Sequence, residues 1–161
     1  MSVAITNLQR ARKINLRFLK KITNRLLLEL EVEAAEISIC LVDAPEMTRL
    51  NETFLRHAGP TDVITFDYAA PGSPTPDAGP EVHGEIFVCV TEAVSQARKF
   101  DASWQSEIVR YIVHGVLHLL SFDDSNAVAR RKMKREEARL LGGLTRRFSL
   151  AQLSRPARLS A

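Results

Sequence analysis

The chain alternates between two periodicities. From Ile14 to Leu30, apolar residues recur at four-residue steps (Ile14, Phe18, Ile22, Leu26, Leu30), with Lys20, Lys21 and Arg25 off the stripe. That spacing predicts an amphipathic helix. From Glu36 to Val42 the pattern changes to period two, with Ile37, Ile39 and Leu41 on one side, which predicts a strand. Pro45 opens a second helix over residues 45–56, with Asp43 or Ala44 at its cap. Asp62–Tyr68 and Gly84–Val90 are β-branched and aromatic and read as two strands of a hairpin. Between them, residues 71–80 hold four prolines and two glycines. Thr91 is the expected N-cap of a helix running to about Phe100. Ser103 or Trp104 starts the next helix. A charged helix over Asn126–Leu141 is expected to close at Gly142-Gly143, and Val3–Ile5 allows a further short strand. Three or four strands in the first 90 residues, followed by helices, predict an α+β fold. It would be a small mixed sheet of about four strands with helices packed on it, and the histidine-bearing helix at its centre.

A length of 161 residues allows one core. The expected domain covers residues 1–142, and 143–161 is expected to be a basic, weakly ordered extension. No apolar run is long enough for a signal peptide or a membrane span, so a cytoplasmic protein is the expectation. Cys40 and Cys89 are isolated in apolar runs and read as reduced core residues. The net charge of +3 conceals an asymmetry. Residues 1–129 carry 12 Lys/Arg against 17 Asp/Glu, whereas residues 130–161 carry 10 against 2. A basic block of that kind suits a polyanion such as RNA, or is a solvated helix face with a frayed tail.

The candidate chemistry sits in the run His114-Gly115-Val116-Leu117-His118-Leu119-Leu120-Ser121-Phe122-Asp123-Asp124. Histidines four apart share a helix face and reach one ion. Asp124, six residues after His118, can swing in as a third ligand once the chain leaves the helix. Two imidazoles and a carboxylate suit zinc with an open position for water, and the same set suits non-haem iron. In the familiar metalloprotease motif a glutamate follows the first histidine as general base; Gly115 stands there instead. A glycine also lets a strand or substrate approach the helix closely.

This run resembles the signature of the YbeY family of bacterial rRNA maturation factors, His-Gly-x-Leu-His-Leu-x-Gly-Tyr-Asp-His, at His114, Gly115, Leu117, His118, Leu119 and Asp123. Leu50-Asn51 through Arg56, then Thr61-Asp62-Val63-Ile64-Thr65-Phe66, is similar to the family's Leu-Asn…Arg…Thr-Asp-Val-Leu-Ser-Phe segment. Gly84-Glu85-Ile86 resembles its Gly-Asp-Ile, and Met133 and Glu137 match its last helix. The resemblance covers roughly residues 1–142. It implies a metal-dependent, single-strand-specific endoribonuclease acting in 16S rRNA 3′-end maturation and ribosome quality control. Its partners would be single-stranded RNA, ribosomal RNA, the small ribosomal subunit and its proteins.

The implied cofactor is one divalent ion, zinc, on His114, His118 and Asp124, with Arg56 gripping the phosphate. A structural salt bridge to Asp62 is the other reading of Arg56. Asp123 reads as a supporting or turn-forming residue. His57 and His83 read as surface residues, and Trp104 as core packing rather than a base-stacking platform.

Three departures from the signature carry consequences. Asp124 replaces the third histidine and lowers the charge of an occupied centre from +2 to +1. Phe122 replaces tyrosine and loses a hydroxyl. Ser121 replaces a glycine, which makes a left-handed turn costlier by about 1 kcal/mol. Three other functions stay open on the sequence: a non-catalytic assembly factor with a structural metal, another metal-dependent hydrolase such as a peptidase, and a general RNA-binding module driven by the basic C-terminus.

Overall fold

The computed structural model describes residues 1–55, 61–69 and 81–154. Arg56, His57 and the proline-rich stretch 71–80 lie outside the described residues. The element order is β1 (Ser2–Asn7), α1 (Leu16–Glu29), β2 (Ala34–Val42), α2 (Ala44–Leu50), a π turn (Asn51–Leu55), β3 (Val63–Asp67), β4 (Glu81–Cys89), α3 (Val90–Lys99), α4 (Trp104–Leu119), α5 (Ala127–Arg147) and a 3-10 turn (Leu150–Ser154). The four strands form one mixed sheet in the order β1-β2-β4-β3. The β1–β2 and β2–β4 pairs are parallel, and β3 runs antiparallel on the β4 edge. This is the expected α+β architecture.

The alternation read in β2 sets the layers. Ala35, Ile37, Ile39 and Leu41 face the main core with Val82, Ile86 and Val88 of β4. Leu19, Ile22, Leu26 and Leu27 of α1 and Ile108, Ile112, Val116 and Leu117 of α4 complete that core. Cys40, Val42, Ile64 and Cys89 lie in a second, smaller cluster with Met47 and Leu50 of α2. Both cysteines are free and buried. The buried stripe of α1 is Leu19, Ile22, Thr23, Leu26 and Leu27, shifted from the four-residue series. Steps of four drift by about 40° per turn on a helix of 3.6 residues per turn, so Phe18 and Leu30 fall at the margin.

Two glycines set the spacing between α4 and the sheet. A Cβ on Gly115 would lie 2.9 Å from Ile86 Cγ2, and one on Gly84 would lie 2.6 Å from Leu119 Cδ2. The close approach at Gly115 is therefore made by strand β4. It seats α4 against the sheet centre and fixes where the histidines emerge.

Three local expectations change. Thr91 does not cap α3: the N-cap is Cys89, and the Thr91 hydroxyl instead accepts the Ala44 N–H at 2.9 Å, tying α3 to α2. Asn126 caps α5 through the Ala129 N–H, but α5 does not close at Gly142-Gly143. It continues to Arg147, so the expected boundary after residue 142 falls inside a helix. Leu144, Leu150 and Leu153 are buried and drive this continuation, because apolar burial on the following turns outweighs the weak helix propensity of two glycines. The Leu153 carbonyl also accepts the Asn15 N–H at 2.7 Å, which joins the 3-10 turn to the start of α1.

Candidate metal centre

Helix α4 starts at Ser103, whose hydroxyl accepts the Ser106 N–H, and ends in a turn that builds the site. Ser121 N–H donates to His118 O and Phe122 N–H to Leu117 O, both at 3.0 Å. This paired pattern is the Schellman motif, which places one residue in the left-handed region. That residue is Ser121, with φ 73°. The chain therefore leaves the helix by the route a glycine would give, and the serine carries the strain. Phe122 packs against the main core, with Lys132 5.5 Å from its ring centre, and anchors the turn. Asp123 Oδ1 then accepts the Ser125 N–H and hydroxyl, so Asp123 shapes the turn. Those bonds hold its carboxyl below the usual range.

The folded turn brings Asp124 back to the histidines. One ligand atom from each of His114, His118 and Asp124 lies within 4.8 Å of the others. The Nε2 atoms of His114 and His118 are 3.0 Å apart, with the rings edge to face. On the far side of His114, Nδ1 faces Glu137 Oε2 of α5 at 3.2 Å. The two histidines are half-buried and Asp124 is exposed.

The electrostatics separate the two imidazoles. Burial would lower the pKa of His114, but the hydrogen bond and charge of Glu137 outweigh it, and the net shift is upward. For His118, burial and the neighbouring His114 both act downward and prevail. His118 is further hydrogen-bonded to the backbone of Phe122, the anchor of the turn.

These residues fit a divalent ion. Two donors about 2.1 Å from one ion lie at most about 4.2 Å apart; the imidazole nitrogens satisfy that, and Asp124, in a set that spans up to 4.8 Å, needs only a small side-chain rotation to do so. With Glu137 accepting a hydrogen bond from Nδ1–H of His114, Nε2 is left as the ligating atom, the usual outer support of a metal-bound histidine. In the sequence Glu137 is only a matched position of the last helix. Nothing local signals its partner, because 23 residues separate it from His114.

Arg110 carries no motif signal in the sequence. It lies one turn before His114 on the same face of α4, ion-paired with the buried Glu107. His83 is exposed beside Glu36, and Trp104 packs against the main core.

Known proteins resemble this chain along its length. Residues 3–145 match the family described as Endoribonuclease YbeY. An Endoribonuclease YbeY from Syntrophotalea carbinolica is 31% identical over 148 residues, covering 91% of this chain and 97% of the relative. One from Beutenbergia cavernae is 38% identical over 109 residues, covering 66% and 73%. One from Acidothermus cellulolyticus is 42% identical over 113 residues, covering 66% and 69%. The fold is shared with the solution structure of TM1509 from Thermotoga maritima, at a TM-score of 0.63 and 21% identity over 99% of both chains. With the matched segment spanning β1 to α5 and including the histidine helix, this chain belongs to the endoribonuclease YbeY family.

Proposed function

We propose that this protein is a metal-dependent, single-strand-specific endoribonuclease. It trims the 3′ end of 16S rRNA and takes part in ribosome quality control in the cytoplasm, on the small ribosomal subunit. The observation that supports this most is the convergence of His114, His118 and Asp124, with Glu137 fixing the tautomer of His114. His114 and His118 would hold the ion through Nε2, and Asp124 through its carboxylate; zinc suits that donor set. When bound, the ion supplies Lewis-acid polarisation of a phosphoryl oxygen and activation of water.

The chain's own groups do the rest. Glu137 keeps the proton on Nδ1 of His114, so the ring cannot turn away. Asp124 lowers the charge of the loaded centre and sits on the exposed side, where a single strand has access. Arg56 grips the substrate phosphate with a planar pair of N–H donors. Gly115, packed on Ile86, occupies the position where a metallopeptidase would carry its catalytic glutamate, which argues against peptide hydrolysis.

Cleavage of labelled single-stranded and duplex RNA tests the reading, with chelator and with zinc or manganese restored. Wild type is expected to cut only the single strand and to lose activity in chelator. His114→Ala and Asp124→Ala are expected to lose metal and activity together, and Arg56→Ala to lose activity while keeping metal. Full cleavage by His114→Ala in chelator would overturn the proposal.

A further inference from the structure

A second charged feature lies away from the metal centre. A cavity of about 620 Å³ opens between the end of α1 and the C-terminal half of α5, lined by Glu29, Arg139, Leu140, Gly143, Arg146 and Arg147. Arg139, Gly143, Arg146 and Arg147 follow each other at helical spacing and share one side of α5. Arg139 and Arg146 point roughly 180° around the helix from Glu137, which faces His114. The cavity and the metal centre are therefore on opposite sides of α5.

Its charge is only partly compensated. Arg139 is paired with Glu136, and Glu29 with Arg25. Arg146 and Arg147 make no ion pair among the described residues. The negative C-terminal end of the helix accounts for cations in this turn. It does not account for the bare wall beside them. A Cβ on Gly143 would meet nothing within 4 Å, so no packing contact requires a glycine there, although glycine weakens a helix interior. At Gly142 a Cβ would come within 3.4 Å of Arg146 Nη1, so that guanidinium lies against the helix surface. Open volume beside Gly143 and two uncompensated guanidiniums together make a receptor for a phosphate group.

We infer that this cavity binds the phosphate backbone of the RNA substrate, as a second anchor remote from the site of cleavage. The inference rests on the endoribonuclease reading for its choice of ligand. Two guanidiniums on a flat helix face suit successive phosphates of a single strand and carry no base specificity.

The test is binding of a fluorescein-labelled single-stranded 20-mer RNA to the full chain by anisotropy, across a potassium chloride series, in chelator so that no cleavage occurs. Arg146→Gln with Arg147→Gln is expected to weaken binding about tenfold at low salt. It should also lower the slope of log K against log salt by about 1.4, since each single-strand phosphate contact contributes roughly 0.7. The charge-keeping pair Arg146→Lys with Arg147→Lys should restore the slope. Arg131→Gln with Lys134→Gln, on α5 outside the cavity, should leave it at wild type.

An unchanged slope in the first pair, or an equal fall in the Arg131/Lys134 pair, would overturn the cavity as the site. Retention on phosphatidylserine vesicles, lost in the first pair while its RNA slope stays at wild type, would overturn RNA in favour of a lipid surface. Cleavage by metal-loaded wild type, measured in parallel, separates the two failures: cutting with an unchanged slope sinks this inference alone, whereas neither binding nor cutting sinks the nuclease reading with it.

Discussion

Glu137 on α5 holds Nδ1 of His114 on α4 at 3.2 Å, and so aims the other nitrogen of that ring at His118 and Asp124. The carboxylate orients the ring, fixes its tautomer and raises its basicity. Removing such outer support typically weakens metal affinity 10–100-fold. Glu137→Gln is therefore expected to bind zinc about 10–100-fold more weakly than wild type, measured by competition with a chromophoric chelator. Wild-type affinity in that variant would mean that Glu137 has no part in the centre.

The same contact makes the metal-free protein pH-sensitive. His114 has its pKa raised above the ordinary 6.5, so its pairing with Glu137 contributes stability that is complete below that value and is lost as pH rises through the folded pKa. His118, lowered from the same value, acts the other way: its contribution is complete above 6.5 and is lost as pH falls through the folded pKa. Glu137→Gln removes the first and, by deleting a weaker upward influence on His118, lowers the His118 pKa further. Urea unfolding in chelator should show the variant more destabilised near pH 5.5 than near pH 8. The imidazole titration of His114, followed by NMR, should move to lower pH. An equal deficit at both pH values would remove the charge from this account.

Ser121 sits at φ 73° in the turn after α4, in the region that favours glycine. Ser121→Gly relieves the crowding of Cβ there, at a smaller cost in unfolded-chain entropy, and the net expectation is a gain of about 0.5 kcal/mol. The rise should appear in the urea midpoint of chelator-treated protein without a change in slope. A loss of stability would show that the serine makes a contact worth more than its strain.

Gly115 meets the opposite constraint. Its φ is not left-handed, but a Cβ there would lie 2.9 Å from Ile86 in the core of the sheet. Gly115→Ala is expected to destabilise by about 1–3 kcal/mol through overpacking, despite alanine's better helix propensity. Thermal unfolding checks this. A higher Tm would mean that α4 can move off the sheet freely, and that the glycine is there for another reason.

Much of this protein is decided by local pattern. The alternation at Ile37, Ile39 and Leu41 sets the face of β2, because side chains along a strand alternate sides whatever lies beyond. The four-residue step from His114 to His118 sets the common face of two imidazoles, because helix geometry is local. The sequence also carried the hairpin pairing of β3 with β4 and the family resemblance, since both depend on residues in short runs.

Other features depend on partners distant along the chain. The end of α5 lies at Arg147 rather than Gly142-Gly143, since burial of Leu144, Leu150 and Leu153 against distant elements overrides propensity. Thr91 serves α2 rather than its own helix for the same reason. The approach of Asp124 needs the left-handed Ser121, and the support of His114 by Glu137 needs α5 to pack on α4. Sequence spacing determines which ligands can share a face. Only the packing of separate elements decides which carboxylate reaches them, because that contact is long-range and leaves no local period to read.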